Sequence, residues 1–282
     1  MVKSILKGAV IGIANIIPGV SGGTMAVSMG IYDKIIHAVT HLFSEFKKSM
    51  KVLIPIGIGV LIAIVGVARL IEIMFDKFPL QTNLLFIGLI LGGLPSIGKK
   101  VKGSPIKAGH VIAFVLFFGL VVGCAALEGS SGGDVVLTFS FWNFIKLLGV
   151  GVIASATMVI PGVSGSMVLM IMGYYTPIIS TINSLVDHIL ILDVQGVLAD
   201  CGILVPFGIG VVAGIFVIAK IIEIVFKKWP LLAYWAIIGL IVASPVGILM
   251  MGEFGMVSVV SVLTGIVALA VGIFAAMKLG EE

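Results

Sequence analysis

The sequence predicts an all-α, polytopic membrane protein built from two inverted repeats, each a re-entrant broken-helix hairpin followed by three transmembrane helices. Of the 282 residues, 60% are hydrophobic and only 11% are charged, a composition that excludes an ordinary soluble domain. Several apolar runs reach the roughly 20 residues that a spanning helix needs, which favours helices over a barrel of short strands. A stretch rich in proline and glycine also occurs twice, as NIIPGVSGGT at residues 15–24 and VIPGVSGSM at residues 159–167. We call these stretches the first and second motif loops.

The first repeat is predicted to cover residues 1–128. It comprises a hairpin at 4–38 around the first motif loop and spans at about 52–75, 82–98 and 108–127. Each half of the hairpin has about 14 residues, which reach only about 21 Å, short of the roughly 30 Å hydrocarbon core. A re-entrant hairpin is therefore the economical interpretation, although two thin crossings would give the same topology.

A polar linker at 129–141 precedes the second repeat, residues 142–282. This repeat comprises a hairpin at 142–183 and spans at about 203–226, 231–250 and 256–278.

The similarity of the two halves extends beyond the motif loops. MGIYDKII at 29–36 corresponds to MGYYTPII at 172–179, and residues 55–80 correspond to 206–231 with matching proline, glycine and charged positions. This self-similarity indicates an internal duplication.

The distribution of charge predicts the orientation. If each hairpin enters and leaves on one face, the lysines beside the apolar runs fall on one side and the loop acids fall on the other. That bias is typical of cytoplasmic lysine-rich loops and places both termini in the cytoplasm. An odd number of crossings per copy also inverts the second copy relative to the first. The lysines are Lys3, Lys7, Lys47, Lys48, Lys51, Lys99, Lys100, Lys102, Lys107, Lys227, Lys228 and Lys278, and the acids are Glu128, Asp134, Asp187, Asp193, Asp200 and Glu253.

The motif loops are predicted to form an anion site. Pro18 and Gly19 end the entering half-helix, and Ser21 is predicted to be the N-cap of a returning half-helix. The free N–H groups at such a helix start would point into the membrane interior, where they could bind an anion. The alternative is that the small residues serve helix packing. The predicted anion-binding residues are Ser21, Gly22, Gly23 and Thr24 in the first loop and Ser164, Gly165 and Ser166 in the second.

Two pairs of charges at membrane depth form a second set of candidates. Arg69 with Glu72 and Lys220 with Glu223 each have i,i+3 spacing on one helix face,. Charges within the membrane usually face a cavity or a partner, so we interpret the cations as possible anion ligands and the acids as possible coupling groups. A structural role for both pairs is an equal alternative.

The remaining polar and sulfur-containing residues indicate no cofactor and no metal site. Cys124 and Cys201 are isolated and are interpreted as packing residues,. The lysines are explained by membrane topology, so no nucleic-acid partner is expected. The sequence predicts capping or interfacial roles for Asn15, His37, His41, Gln81 and Asn83.

The paired PGVSGG and PGVSGS sequences, followed by MGIY and MGYY, resemble the polyprenyl-phosphate transporter family, PopT. The resemblance covers nearly the whole chain and implies transport of undecaprenyl phosphate, the lipid carrier of cell-wall building blocks, back across the cytoplasmic membrane. It implies that the motif-loop residues above, with Arg69 and Lys220, bind the phosphate. One departure concerns an acid that often precedes the first IPG in the family, where this sequence has Asn15.

We therefore expect a flippase with a polyprenyl-phosphate substrate and no cofactor. An anion channel or small-anion exchanger is the alternative, since it would use the same helix starts. An enzyme such as a lipid phosphatase is not expected, because an acid–base set with suitable spacing is not formed by His37, His41, His110 and His188,.

Overall fold

The structure is a computed structural model that describes residues 1–16, 21–66, 68–127, 135, 137, 140–252, 254 and 257–280, without the side chains of residues 16, 68, 69 and 72. All regular secondary structure in these ranges is helical. The helices are α1 Val2–Ile16, α2 Gly22–Ser28, α3 Tyr32–Thr40, α4 Phe46–Gly66, α5 Ala68–Lys77, α6 Pro79–Leu91, α7 Leu94–Val101, α8 Ala108–Leu127, α9 Phe141–Val159, α10 Gly165–Ile171, α11 Tyr175–Leu190, α12 Val194–Lys228, α13 Pro230–Met251 and α14 Val259–Gly280.

Seven helical segments of the described chain are long and apolar enough to cross a membrane, so the protein is a multi-pass membrane protein,. The predicted span at 52–75 covers parts of α4 and α5, with residue 67 between them outside the described residues, and the predicted span at 82–98 covers parts of α6 and α7, which are separated by a turn at Gly92 and Gly93. The pair α10 and α11 is bent by 109° at the break between the two helices.

The returning half of each predicted hairpin is two helices instead of one. In the first copy α2 ends at Ser28 with Met29 as its C-cap residue. The two N–H groups after Met29 bond backwards, Gly30 to Val27 at 2.9 Å and Ile31 to Ala26 at 3.0 Å. This pattern is a Schellman C-cap, and it requires the left-handed conformation found at Gly30 (φ +66°),.

The second copy has the same C-cap at the matching position. Gly173 bonds to Met170 and Tyr174 bonds to Leu169, both at 2.9 Å, and Gly173 has φ +74°. The MG dipeptides of MGIY and MGYY therefore mark helix ends.

The chain forms two compact units. The first comprises Met1–Ala126, Ile160–Val163 and Ala219–Glu282, and the second comprises Leu127–Val159 and Ser164–Ile218. The second motif loop is thus divided, since its tip at 160–163 belongs to the first unit.

Close glycine contacts hold α1 against α4 in the first unit. A side chain at Gly8 would meet the backbone of Ile56, and one at Gly59 would meet the backbone of Ile5. Small residues of this kind let two membrane helices approach closely.

The second unit uses the same arrangement between α9 and α12. Gly151 faces the Phe207 backbone and Gly210 faces the Leu148 backbone. Gly151 precedes its motif loop by the same number of residues as Gly8, and Gly210 corresponds to Gly59 in the repeat. The two copies therefore pack their first long helix pair at equivalent positions.

Two further helix pairs of the first unit join the copies. Gly88 and Gly272 bring α6 against α14, and Gly239 brings α13 against the Phe114 backbone of α8. Each pair combines one helix from the first copy with one from the second. The matching helices α6 and α13 both begin with proline at the first turn, after Phe78 and Trp229, where proline is favoured because its missing N–H has no helical partner.

Candidate functional site

The first motif loop leads into α2, whose first turn carries the predicted anion-binding residues. Ser21 lies at the N-cap position with extended backbone (φ −98°, ψ 130°), as predicted, but its hydroxyl makes no capping hydrogen bond. The side chain of Asn15 does so instead, because its Oδ1 accepts a hydrogen bond from the Gly22 N–H at 3.1 Å. Ser21 and Thr24 are buried. Pro18 and Gly19 lie outside the described residues.

The second motif loop opens α10, in the second unit. Ser164 has the same N-cap geometry (φ −94°, ψ 127°) and also makes no capping bond through its side chain. Its hydroxyl lies 2.8 Å from that of Ser166. Met158, which corresponds to Asn15 in the repeat, packs against Gly165. The two helix starts therefore share a backbone conformation, but an amide covers one and a thioether covers the other.

The tip of the second motif loop meets the first motif loop within the first unit. The Gly162 N–H donates a hydrogen bond to the Thr24 hydroxyl, with 2.6 Å between the nitrogen and Oγ1. Thr24 is fully buried, and Gly162 has φ +82°, a conformation in which glycine is favoured,. Gly23 packs against Pro161, since a Cβ at Gly23 would lie 3.3 Å from the proline Cα. The structure thus joins the two loops by a buried polar contact.

Both motif-loop helices are short. α2 and α10 have seven residues each, so each returning half-helix is shorter than the predicted length of about 14 residues. A helix dipole grows with aligned peptide units, and a helix this short contributes little of it. Any anion binding here depends on individual N–H and hydroxyl donors.

Lys220 and Glu223 of α12 form the ion pair that their spacing predicts, with 2.7 Å between Nζ and Oε2. The Lys220 side chain is 56% exposed, and its described partner is this acid instead of a motif-loop residue. The side chains of the corresponding pair, Arg69 and Glu72, lie outside the described residues, and only their backbone is placed, in α5.

The other oxygen of Glu223 faces two histidines of α3. Its Oε1 is 3.5 Å from His41 Nδ1 and 3.9 Å from His37 Nδ1. The imidazole rings have centroids 4.1 Å apart. Among the described residues, His37, His41 and Glu223 form a group of three side chains that could ligate a metal, with ligand atoms all within 4.8 Å of one another.

The other polar residues expected to cap or to lie at interfaces lie at a helix end or make hydrogen bonds within or between helices. His41 is the C-cap residue of α3. Asn83 donates to the Pro79 carbonyl at 2.9 Å, and Gln81 donates to the Thr264 hydroxyl of α14 at 3.0 Å.

Lys7 is a buried residue that sequence reasoning missed. It is only 4% exposed, and its ammonium donates to the Met29 carbonyl at the end of α2, with 2.9 Å between Nζ and the oxygen. A cation at a helix C-terminus is stabilising. Its burial could have been predicted from the sequence spacing, because Lys7, Ile11 and Ala14 follow the i, i+4, i+7 pattern of a buried helix face.

A cavity of about 240 Å³ lies beside α2 and α3 in the first unit, lined by polar residues that include Asp33, Ser96, Lys100 and Tyr234. The Tyr234 hydroxyl donates to Asp33 Oδ2 at 3.4 Å. Charges of both signs therefore border this cavity.

Comparison with known proteins gives the family. Residues 11–260 match the model of the VCA0040-like family, which is described as undecaprenyl phosphate translocase-like. The chain belongs to this family. The family resemblance found in the motif loops is thereby confirmed.

Two proteins named polyprenyl-phosphate transporter are similar to this member of the VCA0040-like family. The one from Staphylococcus aureus (strain NCTC 8325 / PS 47) is 31% identical over 186 residues, which is 65% of this chain and 66% of the relative. The one from Vibrio cholerae serotype O1 (strain ATCC 39315 / El Tor Inaba N16961) is 26% identical over 211 residues, 68% of this chain and 63% of the relative. The match thus spans just under two thirds of each relative's length.

No solved structure matches the chain. The names of the VCA0040-like family and of both relatives are those of translocases and transporters, in agreement with the prediction of a transporter instead of an enzyme.

Proposed function

We propose that this protein is a flippase that moves undecaprenyl phosphate, or another polyprenyl phosphate, across the cytoplasmic membrane for reuse of the lipid carrier. The family match over residues 11–260 and the names of the two bacterial relatives support the substrate. The seven apolar helices of the described chain fit a multi-pass protein of the cell membrane.

We further propose that residues 1–128 and 142–282 are inverted repeats joined by the linker 129–141, with both termini in the cytoplasm. The matching C-caps at Gly30 and Gly173 support equivalent copies. Lysine placement supports the orientation. In an inverted repeat, rocking of one copy against the other would expose the site alternately to the two faces.

The buried contact between Thr24 and Gly162 is the observation that carries the proposed headgroup site. It joins an N–H from one loop to a hydroxyl from the other. A phosphate monoester carries about 1.5 to 2 negative charges near neutral pH and accepts hydrogen bonds through three strong oxygens. In our proposal the headgroup replaces this contact and binds both donors. The other proposed donors are Ser21, Gly22, Gly23, Ser164, Gly165 and Ser166.

Arg69 and Lys220 are proposed to supply positive charge on the headgroup's route, and Glu72 and Glu223 are the proposed coupling acids. The exposure of the Lys220 side chain, 56%, supports a role at an accessible part of the route. The isoprenoid tail would remain in the hydrocarbon of the bilayer, so its apolar surface would not be transferred into water.

Flipping by purified protein in liposomes tests the proposal. We expect labelled polyprenyl phosphate to cross only when protein is present, and Lys220→Ala to slow crossing more than Lys228→Ala, a control that also removes one lysine from α12. Lys220→Arg should keep part of the rate, because it retains the charge with an altered geometry. Radiolabelled phosphate or chloride flux without any movement of the lipid would overturn the proposal in favour of an anion channel or exchanger.

A further inference from the structure

We propose that His37, His41 and Glu223 form a binding site for a transition-metal ion of the Zn²⁺ class, which joins α3 to α12. The three residues come from two segments far apart in sequence, and each offers one ligand atom in a group that spans no more than 4.8 Å. All three belong to the first unit. The site is separate from the motif loops.

The helix geometry of α3 supports this site. His37 is in the last turn of α3 and His41 is its C-cap residue, whose N–H still bonds to the His37 carbonyl at 3.0 Å, so both imidazoles project from the same side of the helix end. Two histidines at this spacing on a helix are a common arrangement for zinc ligation. The third ligand then has to come from another helix, and Glu223 of α12 lies beside both imidazoles.

The distances fit an ion with short bonds. Ligand atoms about 2.1 Å from a tetrahedral zinc lie about 3.4 Å from each other. The distance from His41 Nδ1 to Glu223 Oε1 is 3.5 Å, and that from His37 Nδ1 is 3.9 Å. The His37 side chain is 57% exposed, so its ring is free to turn by the remaining half ångström or so.

The hydrogen bond that Glu223 makes to Lys220 also fits a metal ligand. Lys220 holds Glu223 Oε2, which leaves Oε1 directed at the histidines, and ligating carboxylates usually have such an outer hydrogen bond. His41 Nδ1 lies 3.2 Å from the His37 carbonyl and 3.0 Å from the Thr40 hydroxyl. An unprotonated Nδ1 cannot donate to the carbonyl, so metal binding through this nitrogen places the ring proton on Nε2 and replaces both of these contacts with the ion.

The chemistry of the ligands selects the ion. Two imidazoles and one carboxylate suit Zn²⁺, Co²⁺ or Ni²⁺, whereas Mg²⁺ and Ca²⁺ prefer oxygen ligands alone. Three protein ligands leave a fourth position for water. Lys48, in the first turn of α4 just after the turn that follows α3, is 80% exposed, so an ion from the aqueous phase can reach this end of α3.

Metal titration of the full-length protein in nanodiscs tests the site without any transport assay, and a tag without histidine avoids a competing ligand. We expect one Co²⁺ per chain, with the visible absorption of a four-coordinate site, and displacement by Zn²⁺. His37→Gln and His41→Gln should each weaken binding at least about tenfold. Glu223→Gln should weaken it as well.

His188→Gln is the matched control, because His188 lies in the second unit beside two carboxylates, Asp200 at 2.8 Å and Asp193 at 3.9 Å. We expect this variant to bind Co²⁺ like the parent protein. Equal binding by the parent and the double variant His37→Gln/His41→Gln would overturn the proposal, as would loss of binding in His188→Gln alone. A melting curve without metal identifies any variant that fails to fold. If a histidine variant fails to fold, Co²⁺ binding by Glu223→Gln tests the same site through its third ligand. Because flipping is not measured, failure here leaves the proposed transport function intact.

Discussion

The hydrogen bond between Gly162 and Thr24 predicts a specific loss of stability in Thr24→Val. Valine has nearly the shape of threonine, but it leaves the Gly162 N–H without its partner at a fully buried position. A buried donor without a partner costs about 1–3 kcal/mol. That range corresponds to roughly a 5- to 140-fold change in the folding equilibrium constant. Thr24→Ser retains the hydroxyl and should lose much less.

Thr181→Val is the matched control. The Thr181 hydroxyl is also at a buried position, but it donates to the Pro177 carbonyl one turn earlier in α11, at 2.8 Å. Its removal leaves no buried N–H without a partner, so the change should be small. Equilibrium unfolding by SDS titration in mixed micelles measures all three variants.

Transport separates the structural role of Thr24 from a role in binding. If the headgroup uses this hydroxyl, the flipping rate per folded Thr24→Val molecule should fall, while Thr181→Val keeps the parent rate. Equal stability of Thr24→Val and Thr181→Val would refute the energetic reasoning. Unchanged flipping by folded Thr24→Val would remove Thr24 from the proposed site.

Three further outcomes are expected. In a protein without Cys124 and Cys201, single cysteines near residues 48, 104 and 228 should label from the cytoplasmic side and those near 131 and 190 from outside, and external labelling at 48 would contradict the inverted repeat. Lys7→Met should lower the free energy of unfolding by about 1.5–3 kcal/mol, because it removes a charged hydrogen bond, whereas exposed Lys3→Met should have little effect in the same SDS titration,. Gly22→Val should abolish flipping. Because the Asn15 side chain is what a new Cβ at Gly22 would meet, adding Asn15→Ala should recover thermal stability but not flipping. Recovery of both would show that Gly22 serves packing alone.

The membrane class and the long helices could be predicted because bilayer thickness imposes a length and composition on each span. The bounds of α8, α13 and α14 lie within a few residues of the predicted ones. The self-similarity of the two halves is also visible in the sequence, because prolines and glycines recur at matching positions.

The division of each returning segment was missed. An apolar run containing MGIY has the hydropathy of one helix, and the stop depends on Gly30 adopting φ +66°. Hydropathy does not report a backbone dihedral, although a glycine at this place is a recognised stop signal.

The candidate site was predicted less completely than the fold. The N-cap position of Ser21 and a capping or interfacial role for Asn15 were predicted, but the bond from the Gly22 N–H to Asn15 needs a contact between residues on opposite sides of a loop. The meeting of Gly162 with Thr24 and of Glu223 with His41 joins residues far apart in sequence. No local pattern encodes such pairs, because they are set by how the helices pack.

The pairing of α6 with α14 has a consequence for biosynthesis. Helices enter the membrane in chain order, so α6 is inserted long before its partner, the last helix, leaves the ribosome. Until then the Gly88 face of α6, which closes on Gly272, is open to lipid or to other partners. Completion of the first unit therefore waits for the end of translation, and a ribosome stalled within the α13–α14 connection would hold a chain in which α6 is inserted but not yet paired with α14.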